Sequence, residues 1–569
     1  MTFTDNSQVT AVKFVHDDTW DSIKATYVRG SAFYDGQYKS SEEIAKLLSD
    51  TTSTADLRSV LDQLNGHFAF VHEMEGEIIA AVDHLSSTPL FYALHDGKVY
   101  LSDSAQWIHT QLSCGYDATA VTEYLFTGYV TGQDTLSTGV NQLRAGEWVV
   151  FDNTGTPTIN RQEKYHTLTL GDGGRNPTFE EIDGVLISAF RRFVRALDGR
   201  TALVSLSGGY DSRLIALMLS RLEYDNVILY THDLPSGSPT DVQIAQEIVD
   251  KLNYDHITIS PTHNDFRDFA TSDEWEEFCT EVDYLSSIPN IHETVVLQIL
   301  QSHSIVPDDA VDVRGHLPIP HGGPSFPPHL TNSGTMSKSQ FQTEIWESHY
   351  GMWSDNAISE SMTDHLENRI IDAIPTAAYK DTREEPGEVV AEALSAWYSQ
   401  ERTAKYLVFD HEYDYLGFDR WFPLWDREYL DLLKDVELSE LIDKRIHKRY
   451  VSRLSADILG KDYPDFNSAS SLANEPSFAS IILSSLASGM GYLPETAKTA
   501  IREMYHGVRT SGIYDLYETD PRYGLVSEQR FDDFKLRRAS PETFASLYLY
   551  YDGKLDIEKD TDLNRVSPE

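Results

Sequence analysis

An apolar run that leads into a pair of glycines sets the strongest constraint on how this 569-residue chain folds. Residues 203–206 form an apolar, β-favouring run, residues 207–212 read Ser-Gly-Gly-Tyr-Asp-Ser, and a helix-periodic apolar run covers residues 214–222. This order predicts a strand, a tight turn and a helix. Backbone N–H groups in such a turn, at the start of a helix, form a nest for a phosphate group.

Side chains of the turn complete the predicted phosphate site. Ser207 and Ser212 add hydroxyl donors, whereas Asp211 has the wrong charge to touch phosphate and is expected to hold a Mg²⁺ ion that does. A glycine-rich turn without a ligand is the alternative. The turn is not a Walker loop, because no Gly-Lys-Ser/Thr follows, and it lacks the G-x-G-x-x-G pattern. The predicted nucleotide contacts of the loop are Leu206, Ser207, Gly208, Gly209, Asp211 and Ser212.

The residues around the turn extend it into an α/β domain. Strand-like and helix-like runs alternate, which predicts a doubly wound parallel sheet over residues 178–330, with the ligand at the carboxyl ends of the strands. The Ser-Gly-Gly-x-Asp-Ser string resembles the pyrophosphate-binding loop of the ATP pyrophosphatase superfamily, whose members split ATP into AMP and pyrophosphate. The resemblance implies an adenine-nucleotide domain of the HUP type, in which Thr231 flanks the adenine. A plain strand-to-helix loop is the alternative at Thr231.

The first 170 residues carry short β-rich runs joined by polar or glycine turns, with few helix-like runs. Strands with few helices predict a layered α+β domain over residues 1–170. Residues 64–70, which read Leu-Asn-Gly-His-Phe-Ala-Phe, together with residues 83–92 and 128–147, resemble the glutaminase-like domain of asparagine synthetases. With the loop at Ser207, they identify the chain as a member of the asparagine synthetase family and imply an Ntn-hydrolase-like fold for this domain.

The start of the chain departs from that family. The family's glutaminase uses an N-terminal cysteine whose own α-amine is the base. Here Met1 is followed by Thr2, and the next residues do not resemble the family's Cys-Gly-Ile start. Thr2 as an N-terminal nucleophile and Thr2 as an ordinary first residue are the two alternatives. We expect a domain without glutaminase chemistry.

A second departure lies after the strand-like run that ends at residue 313. The family carries Gly-x-Gly-x-Asp-Glu there, and its acids bind Mg²⁺ and help position the substrate. Residues 315–323 instead read Gly-His-Leu-Pro-Ile-Pro-His-Gly-Gly, so Gly315 fits but the acidic pair is absent. The candidate replacements for this pair are the carboxylates of Asp308, Asp309 and Asp312. Three histidines of this loop are candidate metal ligands, namely His316, His321 and His329. The alternative is that these side chains face the solvent.

Long helix-periodic runs fill residues 335–550, among them 387–410, 439–459, 476–490 and 494–505. Residues 381–388 form a charged linker, and residues 552–569 form an acidic tail. Residues 418–426 resemble the family's Glu-x-Arg-x-Pro-Phe-Leu-Asp stretch, which implies a substrate-side role for Asp426; a helix N-cap is the alternative. Residues 443–448 resemble the family's lysine-containing turn. The resemblance gives Lys444 the lysine position and Lys448 that of an arginine, where positive charge suits a developing pyrophosphate. A solvated basic helix face is the alternative.

Charge and composition narrow the range of partners. The formal net charge of −44, from 90 acidic and 46 basic residues, disfavours nonspecific binding to nucleic acid or to an anionic membrane. The acid is spread along the chain, as in proteins of a very salty cytosol; repulsion of acidic partners is the alternative. The two cysteines, Cys114 and Cys279, exclude a disulfide framework. Without a signal peptide or about 20 consecutive apolar residues, we expect a cytoplasmic protein of two to four domains.

These features favour an ATP-dependent, adenylate-forming amide ligase that resembles asparagine synthetase. A carboxylate attacks the α-phosphate of ATP, and ammonia or an amine then displaces AMP, as in family branches resembling β-lactam synthetases and lasso-peptide cyclases. The rival is a catalytically silent nucleotide-binding or scaffold protein, which the missing acidic pair favours. A third interpretation, a sulfurtransferase of the same superfamily, has less support, because the sequence has no reactive-looking cysteine pair. The sequence does not set the two substrates or the oligomeric state, a homodimer being one option.

Overall fold

The structure, a computed structural model of the full chain, describes residues 10–16, 19–168, 174–233, 239–282, 285–316, 334–350, 358–376, 378–379, 384–408, 411–461 and 521–525. Some sequence-based predictions fall outside these residues, namely those for Thr2, His321, His329, the helix-like runs 476–490 and 494–505, and the tail 552–569. None of the described helices has the length and apolar character needed to cross a lipid bilayer.

Strands dominate the N-terminal domain. They are β1 (Thr10–Lys13), β2 (Trp20–Ile23), β3 (Thr26–Tyr34), β4 (Gln37–Lys39), β5 (Asn65–Met74), β6 (Glu77–Val82), β7 (Phe91–His95), β8 (Lys98–Ser102), β9 (Asn141–Gln142), β10 (Glu147–Asp152) and β11 (Thr158–Lys164). The helices are α1 (Ser41–Ser49), α2 (Thr54–Leu61), α3 (Ala105–Leu112) and α4 (Ala118–Thr127). The strands form one sheet in the order β1-β8-β7-β9 and a larger one in the order β11-β10-β6-β5-β3-β2, with β4 beside β3.

Alternate residues of the central strands separate two cores. Phe68 and Phe70 of β5 pack with α1 and α2 in one core. Ala69 and Val71, which point to the opposite face, join the core between the two sheets. Helices α3 and α4 pack against β7 of the smaller sheet. The result is a four-layered α–β–β–α arrangement, which confirms the predicted layered α+β fold.

The rest of the described chain alternates strands and helices before it becomes mainly helical. The strands are β12 (Ala202–Ser205), β13 (Val227–His232), β14 (Asp255–Ile259), β15 (Val311–Val313), β16 (Thr335–Ser337), β17 (Glu384–Pro386) and β18 (Asp419–Trp421). The helices are α5 (Phe179–Leu197), α6 (Tyr210–Arg221), α7 (Pro239–Leu252), α8 (His263–Ala270), α9 (Asp273–Glu281), α10 (Ile291–Ser302), α11 (Lys338–His349), α12 (Glu360–Asp372), α13 (Gly387–Trp397), α14 (His411–Leu416), α15 (Arg427–Lys434), α16 (Leu438–Leu441) and α17 (Arg445–Leu459).

Five parallel strands form the sheet of the α/β domain, in the order β14-β13-β12-β15-β18. Ala202 and Val204 of the central strand β12 pack into the core on one face of the sheet, and Leu203 packs into the core on the other. Burial on both faces explains the continuous apolar run of this strand. The sheet confirms the predicted parallel α/β fold, but its edge strand β18 comes from the segment that was predicted to be helical.

Three predicted features of the C-terminal half differ in the structure. The helix predicted over residues 387–410 changes after α13 into a π-helix, Tyr398–Leu407. The helix predicted over residues 439–459 is interrupted at Lys444, whose φ of 53° is left-handed. The charged linker predicted at residues 381–388 includes β17, which pairs with β16. The left-handed backbone at Lys444 is a change at one position, so it leaves no mark on the hydrophobic period from which helices are predicted.

Buried charged side chains join the N-terminal domain to the helical part. Arg144 donates to Glu401 of the π-helix over 2.6 Å, and the Glu401 side chain is fully buried. Lys405, one π-helical turn further on, donates to the carbonyl oxygens of Val130 and Gly132. The π-helix therefore presents both an acid and a base to the first domain.

Candidate nucleotide site

The predicted strand–turn–helix is present, and the turn leaves the start of α6 open. The loop between β12 and α6 is made of residues 206–209, and Gly208 adopts a left-handed φ of 72°. Gly209 is the N-cap of α6 and provides no side-chain capping bond. The first N–H groups of a helix lack partners within it, so this end of α6 can bind an anion.

Two hydroxyl groups fix the shape of the loop. The Ser212 hydroxyl accepts a hydrogen bond from the backbone N–H of Ser207 over 3.2 Å, and it lies 3.2 Å from the Ser207 hydroxyl. On the other side, the buried Arg213 donates to the carbonyl oxygen of Gly208 over 2.7 Å. The loop is therefore held from both ends by its own side chains. Nothing in the sequence pattern indicated this role for Arg213.

Two basic side chains of the C-terminal part meet the carboxylate of Asp211. Lys444 Nζ lies 2.7 Å from one oxygen of Asp211, and His447 Nε2 lies 2.8 Å from the other. Burial by itself would raise the pKa of the Asp211 carboxyl, but hydrogen bonding and charge from His447 and Lys444 outweigh burial and lower it. Asp211 is therefore ionised at neutral pH and holds the Lys444 and His447 side chains at the start of α6.

The interruption of the helix at Lys444 explains how these two side chains come together. Lys444 is the left-handed N-cap of α17, and His447 lies in the first turn of that helix with its side chain fully buried. Lys448, the next residue, is half-buried in the same turn. The structure thus brings Lys444 to the loop as predicted for a phosphate site. His447 was not predicted, although its spacing of three residues from Lys444 is the signal that would have indicated a shared helix face.

Gly315 and Thr231 border the same loop. A Cβ atom on Gly315 would lie 3.2 Å from the backbone nitrogen of Ser212, so the absence of a side chain lets β15 end directly against α6. The buried Thr231 hydroxyl donates to the carbonyl oxygen of Leu206 over 2.9 Å. Both residues lie at the carboxyl edge of the sheet, where open α/β sheets bind their ligands.

Asp426 lies elsewhere, where three parts of the chain meet. Its carboxylate caps α15 by accepting from the N–H of Glu428, and it accepts two hydrogen bonds of 2.7 Å from Arg192 of α5. Asn65 of β5 donates to it as well, over 3.1 Å. Asp426 is therefore the N-cap of α15, as one interpretation predicted, and its substrate-side role stays a prediction.

The residues fit a phosphate better than they fit Mg²⁺. Asp211 is the predicted Mg²⁺ ligand, and both of its oxygens face basic side chains. Within the described residues, no group of three closely spaced ligands includes Asp211. Asp308 and Asp309 precede β15 and so lie at the opposite edge of the sheet, while Asp312 forms a 2.6 Å ion pair with Arg314. A magnesium ion here would depend on Asp211 and on the phosphate oxygens themselves.

Comparisons with known proteins agree with the predicted family. A family described as a glutamine amidotransferase domain matches residues 39–166. The Microcin J25-processing protein McjC of Escherichia coli is 24% identical over 242 residues, which are 42% of this chain and 44% of that protein. The match thus spans less than half of the length of this curated relative.

Two solved structures show local likeness. One is an NH3-dependent NAD synthetase from Campylobacter jejuni in complex with the nitrate ion, with a TM-score of 0.19, 13% identity, and coverage of 35% of this chain and 95% of that one. The other is the allosteric regulatory enzyme of purine biosynthesis, with a TM-score of 0.17, 10% identity, and coverage of 41% and 60%. Scores this low carry no weight for the overall arrangement. Together, the sequence matches, the layered first domain and the loop at residues 207–212 support an asparagine synthetase-like protein.

Proposed function

We propose that this protein is an ATP-dependent amide ligase that forms AMP and pyrophosphate. The observation that carries the proposal is the meeting of the Ser207–Ser212 loop with Lys444 at the open end of α6. A helix N-terminus and a lysine ammonium group together suit the negative charge of a triphosphate. The nucleotide therefore binds with its phosphates at this edge of the sheet.

The reaction proceeds in two steps. An oxygen of the carboxylate substrate attacks the α-phosphorus of ATP, the bond to the β-phosphate oxygen breaks, and pyrophosphate leaves with the electron pair. Ammonia or an amine then attacks the carbonyl carbon of the acyl-adenylate, loses a proton, and displaces AMP. The loop N–H groups and Lys444 stabilise the charge that gathers on the departing pyrophosphate. Mg²⁺ bound with the nucleotide supplies further charge neutralisation, and Asp211 is the described residue that would hold it.

The nitrogen donor in this proposal is free ammonia or an amine-bearing substrate. A cavity lies between the N-terminal domain and β18, and its lining includes Gly30, His67 and Arg420 but neither cysteine. Cys114 follows α3 and is half-buried, and Cys279 lies buried in α9. The described residues therefore offer no thiol to this cavity. Release of glutamate from glutamine by the purified protein would contradict the predicted lack of glutaminase activity.

One assay separates the ligase from its rival, a silent nucleotide-binding homologue. The rival is favoured by the missing acidic pair and by the Lys444 and His447 side chains that already engage Asp211. The assay is ATP–pyrophosphate exchange at high salt with a panel of carboxylates. We expect exchange with at least one carboxylate, abolished by Asp211→Ala and retained by Asp457→Ala, an exposed aspartate of α17. ATP binding without any exchange would leave the silent interpretation.

A further inference from the structure

A second group of chemically active side chains lies at the same edge of the sheet, one strand away from the loop. His232 is the last residue of β13, and His292 and Glu293 lie in the first turn of α10. One ligand atom from each of the three lies within 4.8 Å of the other two. In the part of the chain that the structure describes, this is the one group of three histidine, cysteine or carboxylate side chains so closely spaced.

Neighbouring side chains hold the three residues in place. One oxygen of Glu293 accepts hydrogen bonds from the hydroxyls of Tyr230, over 3.3 Å, and Tyr413, over 3.1 Å. The His292 ring stacks on Phe266, with centroids 5.9 Å apart and planes 13° apart. Fixed orientation by a second layer of groups is what metal ligands in proteins usually require.

The surroundings of the His232 ring point to a ligand-binding role. Its Nε2 atom is buried and has no hydrogen-bond partner among the described residues. Imidazole nitrogen is the commonest metal ligand among protein side chains. A buried polar atom without a partner is destabilising, and a bound ion removes that penalty.

Arg314 is the charged group that competes for Glu293. Its guanidinium lies 3.3 Å from the Glu293 oxygen that the tyrosines contact, and its Nε lies 2.6 Å from Asp312. The formal charges of Glu293, Asp312 and Arg314 sum to −1. Arg314 therefore accounts for the fixed carboxylate but neither for the bare Nε2 of His232 nor for the remaining negative charge.

We propose that His232, His292 and Glu293 bind one divalent transition-metal ion of the zinc class. Two imidazoles and one carboxylate suit Zn²⁺ and its first-row neighbours, whereas Mg²⁺ and Ca²⁺ prefer oxygen ligands throughout. Bonds of about 2.1 Å in a tetrahedral site put the donor atoms about 3.4 Å apart, so binding draws the three side chains inward. Three protein ligands leave a fourth position for water or substrate. This site does not depend on the ligase function.

Metal titration of the full-length protein tests the proposal. We expect chelator-treated wild type to bind one Zn²⁺ tightly in competition with a chromophoric chelator, and Co²⁺ to give the visible absorption bands of a four- or five-coordinate site. His232→Gln and His292→Ala each remove this ion. His365→Ala, which changes an exposed histidine of α12, leaves it in place. Tyr413→Phe, which keeps the ring and removes one donor to Glu293, weakens binding by about 10- to 100-fold.

The outcomes are separable from those of the nucleotide site. Circular dichroism identifies any variant that fails to fold, and His232→Gln keeps a polar side chain of similar reach. If folded His232→Gln and His292→Ala bind Zn²⁺ as tightly as wild type, the ion sits elsewhere and the proposal is wrong. ATP affinity, measured on the same samples, reports on the Ser207–Ser212 loop. Zinc binding without ATP binding would overturn the proposed function alone.

Discussion

Lys444→Met is the substitution that tests the nucleotide site most directly. Lys444 Nζ is held 2.7 Å from Asp211, and the two side chains are only 12% and 22% exposed. The ammonium group is therefore fixed beside the open end of α6 before the nucleotide arrives, so little side-chain entropy is lost on binding. One hydrogen bond to a charged group contributes about 1.5–3 kcal/mol. We expect Lys444→Met to raise the Kd for ATP by about 10- to 150-fold.

Isothermal titration calorimetry with ATP and Mg²⁺ measures this change, and the chain offers a matched control. Lys461→Met removes the same charge from a lysine that is 57% exposed and paired with Glu247, which is 52% exposed. Exposed pairs contribute little, so the control should bind ATP like the wild type. If Lys444→Met binds ATP as tightly as Lys461→Met, Lys444 does not contact phosphate, and the site argument fails.

A double-mutant cycle shows what Asp211 adds. If Asp211 acts by holding Lys444, then Asp211→Asn combined with Lys444→Met loses less affinity than the two separate losses together. Groups in direct contact show coupling of about 0.5–3 kcal/mol. Additive losses that appear only with Mg²⁺ present would instead assign Asp211 to the metal.

Four further outcomes follow from the structure. Gly315→Ala should weaken ATP binding, because its Cβ would meet the loop backbone at 3.2 Å, whereas Gly155→Ala, with nothing within 4 Å, should not; calorimetry compares them. Burial lowers the pKa of Lys405 to about 8. In the unfolded chain, the Lys405 side chain keeps its proton up to about pH 10.4. Thermal stability should therefore rise with pH between these values, and Lys405→Met should remove the rise in the melting profile. Arg144→Ala should lower the free energy of unfolding by about 3 kcal/mol, the low end for a broken buried pair, because Lys405 stays 3.9 Å from Glu401; urea titration measures it. Finally, the net charge of −44 should make the protein less stable at 0.1 M than at 1 M KCl, because the screening length grows from about 3 to about 10 Å; a melting series checks this.

Local sequence patterns predicted the nucleotide loop well. The strand, the glycines and the helix are adjacent in the chain, so their turn chemistry and hydrophobic period are visible together. The predicted strand at 202–206 and helix at 212–222 correspond to β12 and α6. The strands of the first domain were also predictable from local patterns, because polar turns separate short alternating strands.

Features made by distant residues were harder to predict. The edge strand β18 is three residues long and lies about a hundred residues after its neighbour β15, so no periodicity marks it. The meeting of His447 with Asp211 depends on a left-handed backbone at Lys444, a conformation that a lysine rarely adopts. The N-cap was one of two interpretations of Asp426, and the hydrogen bond from the Glu428 N–H that forms the cap becomes visible only in the folded structure.

The contacts of Asp426 give the first domain a part in holding the C-terminal half in place. The Asp426 carboxylate starts α15, yet one of its donors, Asn65, belongs to the domain that matches the glutamine amidotransferase family. Removing that domain would take this donor away, whereas a change in its chemistry would not. The first domain is therefore a structural component of the C-terminal half, whether or not it hydrolyses glutamine.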